Sequence, residues 1–500
     1  MTLSVRIAAA ALTAALLLAS AAACGSGDAA KPADAPAQAG DAPQDQQDNG
    51  NAEETEPEIK PDLPETDMGG AVINILTEDW AGYTPLDMDD ISVEDLNGED
   101  FNDAIFQRQK KIEEEYNCVI VQMDYASGDG QSNLLKAASA GDDAYQIAVV
   151  RSNQYSKLLS SGALMEIKNV PHIDLEKPWY DKNSLSALGL LNRTFGIVSN
   201  ITMNSYKLIF CAYCNMNMMD DFGLGNIYEI VYSGKWTWDQ MYGMGKTVSA
   251  DLNSDGKYTT DDRYGFTYII DDPEGLLNAA GVRYATLDSD GIPQPSLNNE
   301  RTITLMQKLL DILVDKETSL NVHLRSDNTP RDEVGMFMNK QALFSLAGIY
   351  YAPQFRPMED HFGIIPLPKY DENQEGYNAP MFGNVFPLTA IPSTVADTEK
   401  AGIITEAMSY EGYTGLLSSF YGTLLQGKVT RDEESNKMLD LIFGSTFYDS
   451  GLLYQFGGML NSIRTIYNNL KGDFASTIAK NESKVQKDID KLIESISGIE

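Results

Sequence analysis

The sequence predicts an α/β protein folded in two lobes, and three observations carry that expectation. The chain is 500 residues long, well past the roughly 250–300 residues at which a single hydrophobic core stops growing. Its composition, 43% hydrophobic and 22% charged, is that of ordinary globular proteins, which sets aside a membrane channel and a wholly disordered chain. Finally, the stretch from Ala71 to Val150 alternates strand-like and helix-like runs, the pattern of a parallel sheet with crossover helices.

Residues 1 to 24 stand apart from that body. Arg6 precedes an apolar run from Ile7 through Leu18, followed by the small residues Ala21, Ala22 and Ala23 and then Cys24. This is the layout of a secretory signal. A cysteine directly after small residues resembles a bacterial lipobox, so Cys24 is expected to become the lipidated first residue of the mature chain. Ala21 stands where that pattern prefers Leu, and the alternative is cleavage to a free secreted protein. No later stretch reaches the roughly 18–20 uninterrupted apolar residues of a spanning helix, so lipid is the expected membrane anchor. Gly25 to Gly70 holds 12 acidic and 2 basic residues with almost no large apolar side chains. Such a segment cannot bury enough surface to fold and is expected to be a disordered, self-repelling tether.

Formal net charge is -36, from 73 acidic and 37 basic residues. A nucleic-acid partner is excluded on that balance, because phosphate backbones are held by Lys and Arg. Besides Cys24 the cysteines are Cys118, Cys211 and Cys214, too few for a disulfide framework. Cys211 and Cys214 form a C-x-x-C, but the run Lys207-Leu-Ile-Phe-Cys-Ala-Tyr-Cys reads as a strand. Residues three apart on a strand point to opposite faces, so both are expected to be structural thiols.

Within the body, Ala71 to Thr77 reads as the first strand. Phe101, Ile105, Ile112 and Tyr116 recur at helical spacing, Cys118-Val-Ile-Val-Gln-Met-Asp follows as a strand, Asn133 to Ala140 as a helix, and Tyr145-Gln-Ile-Ala-Val-Val as a third strand. In open sheets of this kind ligands sit outside the carboxyl ends of the strands. The loops after Thr77 and Val150 carry Glu78, Asp79, Trp80, Ser152, Asn153, Gln154 and Tyr155, a mixture of hydrogen-bonding groups and aromatics that suits a sugar. Further on, Thr237 and Gln240 form a capping box, with Trp236 and Met241 at the staple positions. A helix is expected there with Trp236 structural, while Trp238 and Trp179 fit either a core or a platform.

Asp251-Leu-Asn-Ser-Asp-Gly-Lys-Tyr-Thr-Thr-Asp-Asp follows the calcium-loop pattern. Asp251, Asn253 and Asp255 offer side-chain oxygens at the first, third and fifth places, Gly256 permits the turn, and the Lys257 carbonyl takes the seventh. Asp262 fills the twelfth place, where Glu is preferred, with Asp261 as a rival. A structural calcium of weak affinity is the expectation.

With these pieces located, residues 71 to 500 resemble the extracellular solute-binding proteins of ABC importers, the carbohydrate-type family that includes the maltose-binding and alginate-binding proteins. The resemblance rests on landmarks in order: Asn102-Asp-Ala-Ile-Phe-Gln-Arg, Ile112-Glu-Glu-Glu-Tyr-Asn, Asp143-Ala-Tyr-Gln-Ile, Ser161-Gly-Ala-Leu, Gly234-Lys-Trp-Thr-Trp-Asp, Asp251 to Phe266, Met338-Asn-Lys-Gln-Ala-Leu-Phe and Phe362-Gly-Ile-Ile-Pro-Leu-Pro. It implies the type II periplasmic-binding-protein fold, with a ligand cleft between two α/β lobes. The first lobe is expected over 71–200 and 387–425, the second over 201–386 and 426–500 with the C-terminal helices, and the crossings near Ile197 to Tyr206 and Asn384 to Thr389. It further implies ligand contacts at Asn153 and Gln154, in the loop of Asp79 and Trp80, and at Tyr350, where relatives place an aromatic platform and Tyr here replaces the usual Trp. The implied role is a monomer on the outer face of a bacterial membrane that captures a carbohydrate and passes it to the permease subunits.

Two other function classes fit the sequence less well. A carbohydrate-active enzyme would use paired carboxylates, but no pair is identifiable among 73 acids, and G-x-S-x-G, H-E-x-x-H and P-loop motifs are missing. A calcium-dependent scaffold is the second, and one loop in so large an α/β body argues against it.

Overall fold

The computed structural model describes residues 59–79, 90–269, 271–322, 333–382, 385–424 and 433–499. The signal segment expected to end at Cys24, nearly all of the expected tether, and Trp80 lie outside those residues.

A four-stranded sheet forms the first lobe. Strands β1 (Ala71–Glu78), β2 (Cys118–Tyr125) and β3 (Ile147–Arg151) run parallel. Their connections are helix α1 (Asp100–Tyr116) and helix α2 (Asp129–Ala140). Helix α1 buries Ile105, Ile112 and Tyr116 at the spacing read from the sequence and ends at Asn117, whose φ of 47° leaves the helix through the left-handed region. Ile75 and Leu76 in β1, and Ile147, Ala148, Val149 and Val150 in β3, are buried, as expected for strands covered on both faces.

The second lobe holds β4 (Phe210–Asn215), β5 (Tyr264–Tyr268), the hairpin β6 (Ala285–Leu287) and β7 (Pro293–Pro295), β8 (Ser319–Asn321), β9 (Ala342–Gly348) and β10 (Phe362–Ile365). Its five-stranded sheet runs in the order β10-β4-β9-β5-β8. The short pair β11 (Ala379–Pro380) and β13 (Thr446–Phe447) stands beside it. Strand β12 (Pro387–Ala390) returns to the first sheet, antiparallel to β3.

Local chemistry sets several junctions. Thr237 Oγ1 accepts the Gln240 N–H at 3.3 Å and opens the helix Trp238–Val248. Trp236, Trp238 and Trp179 are fully buried, and the Trp236 indole donates to the Pro366 carbonyl at 2.8 Å. All three are core residues. Cys211 and Cys214 are free, buried thiols within β4, and burial pushes both well above the ordinary thiol range.

Two stretches differ from the sequence expectation. The tether was expected to run to Gly70, yet from Ile59 onward the chain is part of the folded body. Met68 is buried in the first-lobe core, its N–H bonds to the Tyr116 carbonyl at 2.8 Å, and the Asp67 carboxylate accepts from both Gly69 N–H and Asn117. Leu63 and Met68 supply the apolar area that the rest of the acidic segment lacks. The C-terminal segment also reaches past the second lobe. Arg193, in the first, donates to the carbonyls of Ile496 and Ile499 at 3.2 and 2.8 Å while holding Glu166. Tyr454 packs on Tyr155 of helix α3 (Ser152–Ser160).

Candidate functional site: the cleft between the sheets

Register places the two sheets end to end. Pro387 pairs with Arg151 at the carboxyl end of β3, and Ile197 pairs with Thr389 beside it, so the chain leaves the first sheet at that end. In the second sheet Phe210 pairs with Gly348 at the carboxyl end of β9, and Ile209 pairs with Met381. Both crossings therefore pass between the carboxyl ends of the two sheets, where open α/β folds hold their ligands.

A cavity of about 310 Å³ lies at this place, walled from both lobes. Asp181 caps helix α4 (Lys182–Leu188), its carboxylate accepting the Asn183 and Ser184 N–H groups, and it also accepts the Tyr448 hydroxyl at 2.8 Å. Asn183 donates to Thr446 Oγ1 at 3.0 Å, which ties the lobes together. Asn200 donates to the Tyr206 hydroxyl at 3.0 Å. Burial pushes the Tyr206 phenol up to about 12, although the Asn200 bond works the other way. Tyr448 is raised well above the ordinary phenol range by burial and by Asp181. Both phenols are thus neutral hydrogen-bonding groups at any physiological pH. Phe443 meets Tyr206 edge-on, with ring centroids 4.8 Å apart. Amides, hydroxyls and ring surfaces of this kind can seat a hydroxylated solute.

At the carboxyl ends of β1 and β3 lies a second polar group. Glu78 is almost wholly buried. Its carboxylate accepts from Gln154 Nε2 at 2.7 Å and from the Gln131 N–H at 3.2 Å, with the Arg151 guanidinium 3.5 Å away. Arg151 also donates to the Asp79 carbonyl. Asp79 and Gln154 are therefore brought together through Glu78 and Arg151. Asn153 is exposed on the first turn of α3. Tyr350 follows β9 on the facing lobe and is 4% exposed. Its ring lies 4.6 Å from that of Tyr351 and 6.1 Å from that of Phe382, so it is covered by aromatics in this conformation.

Sequence reasoning passed over Asp181, Asn183, Asn200, Tyr206 and Tyr448. They come from segments far apart in the chain, and no local pattern marks them.

This two-lobed architecture was compared with known proteins. No protein-family model and no curated protein matches the sequence. Solved structures are similar. An ABC substrate-binding protein from Listeria monocytogenes in complex with cycloalternan superposes with a TM-score of 0.54 at 11% identity, covering 84% of this chain and 99% of that one. The fold is that of the ABC-importer solute-binding proteins. A galacto-N-biose/lacto-N-biose I-binding protein of the ABC transporter from Bifidobacterium longum, with lacto-N-biose, gives 0.54 at 13% identity over 85% and 98% of the two chains. A solute-binding protein from Thermotoga lettingae, bound with α-D-tagatose, gives 0.52 at 14% over 84% and 100%. Among the described residues no helix is long and apolar enough to cross a membrane.

The loop from Asp251 lies on the second lobe. Gly256 has φ 76°, and its N–H bonds to Asp251 Oδ2 at 2.8 Å. Asn253 and Asp255 accept the N–H groups of Asp255 and Lys257 at 2.9 and 2.8 Å. Buried Asp262 accepts those of Leu252 and Thr259 at 3.0 and 2.7 Å. Asp251 Oδ1 is enclosed and has no hydrogen-bond partner. That donor set fits a hard cation, which would satisfy the orphaned oxygen. Among the described residues, no three His, Cys, Asp or Glu side chains gather closely enough to hold a metal by themselves. The Asn253 amide and the Lys257 carbonyl would have to complete the site.

Proposed function

We propose that the protein captures a carbohydrate in the cleft between its lobes and delivers it to the permease subunits of an ABC importer, as a monomer tethered outside the membrane by lipid on Cys24. The polar, aromatic-walled cavity between the carboxyl ends of the two sheets is the observation that carries this reading. The three solved proteins of like fold, each with a saccharide bound, support it. Closure around a ligand that touches both lobes follows from its higher affinity for the closed state.

Titration calorimetry with maltotriose, lacto-N-biose and tagatose tests the cleft. For whichever sugar binds, Tyr206→Ala is expected to cost about 2 kcal/mol, or roughly thirtyfold in Kd, because a buried ring anchor is lost. Trp80→Ala and Tyr350→Ala are expected to weaken binding in the same direction, and exposed Asn153→Ala by under about 1 kcal/mol. Unchanged affinity in Tyr206→Ala, Trp80→Ala and Tyr350→Ala together would put the ligand elsewhere.

A structural calcium in the Asp251 loop belongs to the same proposal. Asp251, Asn253, Asp255, the Lys257 carbonyl and Asp262 would hold it, and its charge would order the turn. Native mass spectrometry of protein purified without chelator reads this loop and the anchor at once. Expected are an acylated Cys24 at the mature N-terminus and a calcium adduct that Asp251→Ala with Asp255→Ala removes. A mature chain with a bare N-terminus refutes the anchor, and a metal-free wild type in millimolar calcium refutes the ion.

A further inference from the structure

A second cavity, of about 420 Å³, shares no residue with the cleft. It runs along the edge of the second sheet, where β5 and β8 meet the end of the helix Met459–Asn469 and the last third of the Asp251 loop. Its volume falls within the roughly 300–1,000 Å³ of small-molecule sites.

The chemistry of its wall is selective. Tyr258 supplies a partly exposed ring, backed by the almost wholly buried Tyr264, Tyr268 and Tyr467, and Asn468 and Asn469 bring amides from the helix end. Asn468 Oδ1 is enclosed and has no hydrogen-bond partner, an unfavourable state unless a donor arrives. Lys316, on the rim, is exposed and forms no ion pair with any described residue, so it has donors to spare. A solute that fills this space must present hydroxyl donors to Asn468, accept from Lys316, and lay C–H surface on tyrosine. Sugars combine these three properties, and an apolar ligand would leave the Asn468 oxygen stranded.

We infer that this flank cavity is a second saccharide site that takes one or two sugar rings independently of the cleft. The inference stands on the lining of the flank and shares only its ligand class with the cleft reading. A second foothold would let the protein hold a longer glycan, or retain sugar near the membrane, with affinities that add in effect when both ends engage.

A printed array of mono- to tetrasaccharides, probed with wild type, three variants and a Lys316→Ala control, tests it. Tyr206→Ala with Asn183→Leu disables the cleft, Asn468→Leu removes the flank's amide, and the third carries all of these changes. The cleft-disabled protein is expected to keep binding a subset of sugars, and the triple change to weaken that residual binding at least tenfold. Lys316→Ala, at an exposed position, is expected to lower it in the same direction and guards against a folding defect in Asn468→Leu. The flank site is overturned if the cleft-disabled protein binds nothing, or if neither Asn468→Leu nor Lys316→Ala moves its residual binding. Wild-type binding that survives the cleft changes in full but is lost in Asn468→Leu would uphold the flank and remove the cleft reading. A wild type that binds no sugar removes both.

Discussion

Arg464→Met is expected to cost the fold about 3–5 kcal/mol at neutral pH, the range for breaking a buried pair from one side. Arg464 grips Glu274 with two nitrogens, one of them 2.8 Å from Oε2, and meets Asp271 at 2.8 Å. Glu274 is only 1% exposed. Burial raises the Glu274 pKa to about 8 even though Arg464 works the other way. Remove the guanidinium and only the upward push remains. The native carboxyl then holds its proton at pH values where the unfolded chain, with a glutamate near 4.3, has released it. The unfolded state binds fewer protons, so stability falls as pH rises, by about 1.4 kcal/mol per unit until the native pKa is reached. Urea unfolding at pH 5, 6, 7 and 8 measures that slope. Adding Glu274→Gln should flatten it, because an amide does not titrate. A variant as stable as wild type at pH 7, or one with a flat profile, would show that the pair is not a buried ion pair.

Gly265→Val carries the second large effect. Strand β5 and the helix Trp238–Val248 touch through glycines: a Cβ built on Gly265 falls 2.3 Å from the Gly245 Cα. That neighbour is backbone, with no side chain to swing aside. Overpacking in a tight core costs about 1–3 kcal/mol, and more where the backbone must part, so a loss of at least about 3 kcal/mol is expected. Gly265→Ala should fall between wild type and valine. Thermal unfolding orders the three proteins. A melting temperature for Gly265→Val within a degree of wild type would mean that helix and strand separate freely, contrary to the closeness seen here.

Much of the scaffold was legible because its causes are local. Helix α1 was visible as apolar spacing, the Thr237 cap as residue types three apart, and the Cys211 and Cys214 pair as residues of a buried strand. Their physical determinants lie within a few residues of one another. The cleft lining is the opposite case. Asp181 meets Tyr448, and Asn183 meets Thr446, only because the fold brings together segments 267 and 263 residues apart in the chain. Asp79 and Gln154 were singled out because the carboxyl end of a strand is a positional rule that sequence can apply. Their partners Glu78 and Arg151 become central only once β1 and β3 lie side by side. Tyr350 shows the limit of reading position alone, since its ring is closed off by Tyr351 and Phe382, and Phe382 follows β11 much later in the chain.

The return of β12 to the first sheet has a consequence for how the chain acquires its shape. The Arg151 edge of β3 stays open until Pro387 has been made and has travelled back across the whole second lobe. Contacts of such sequence separation must overcome chain entropy before they repay it, which slows folding. A chain that appears N-terminus first thus carries an unpaired strand edge through most of its synthesis, the kind of edge that recruits other chains. Slow completion also keeps the polypeptide threadable for longer, which is useful to any protein that must pass through a pore before it folds.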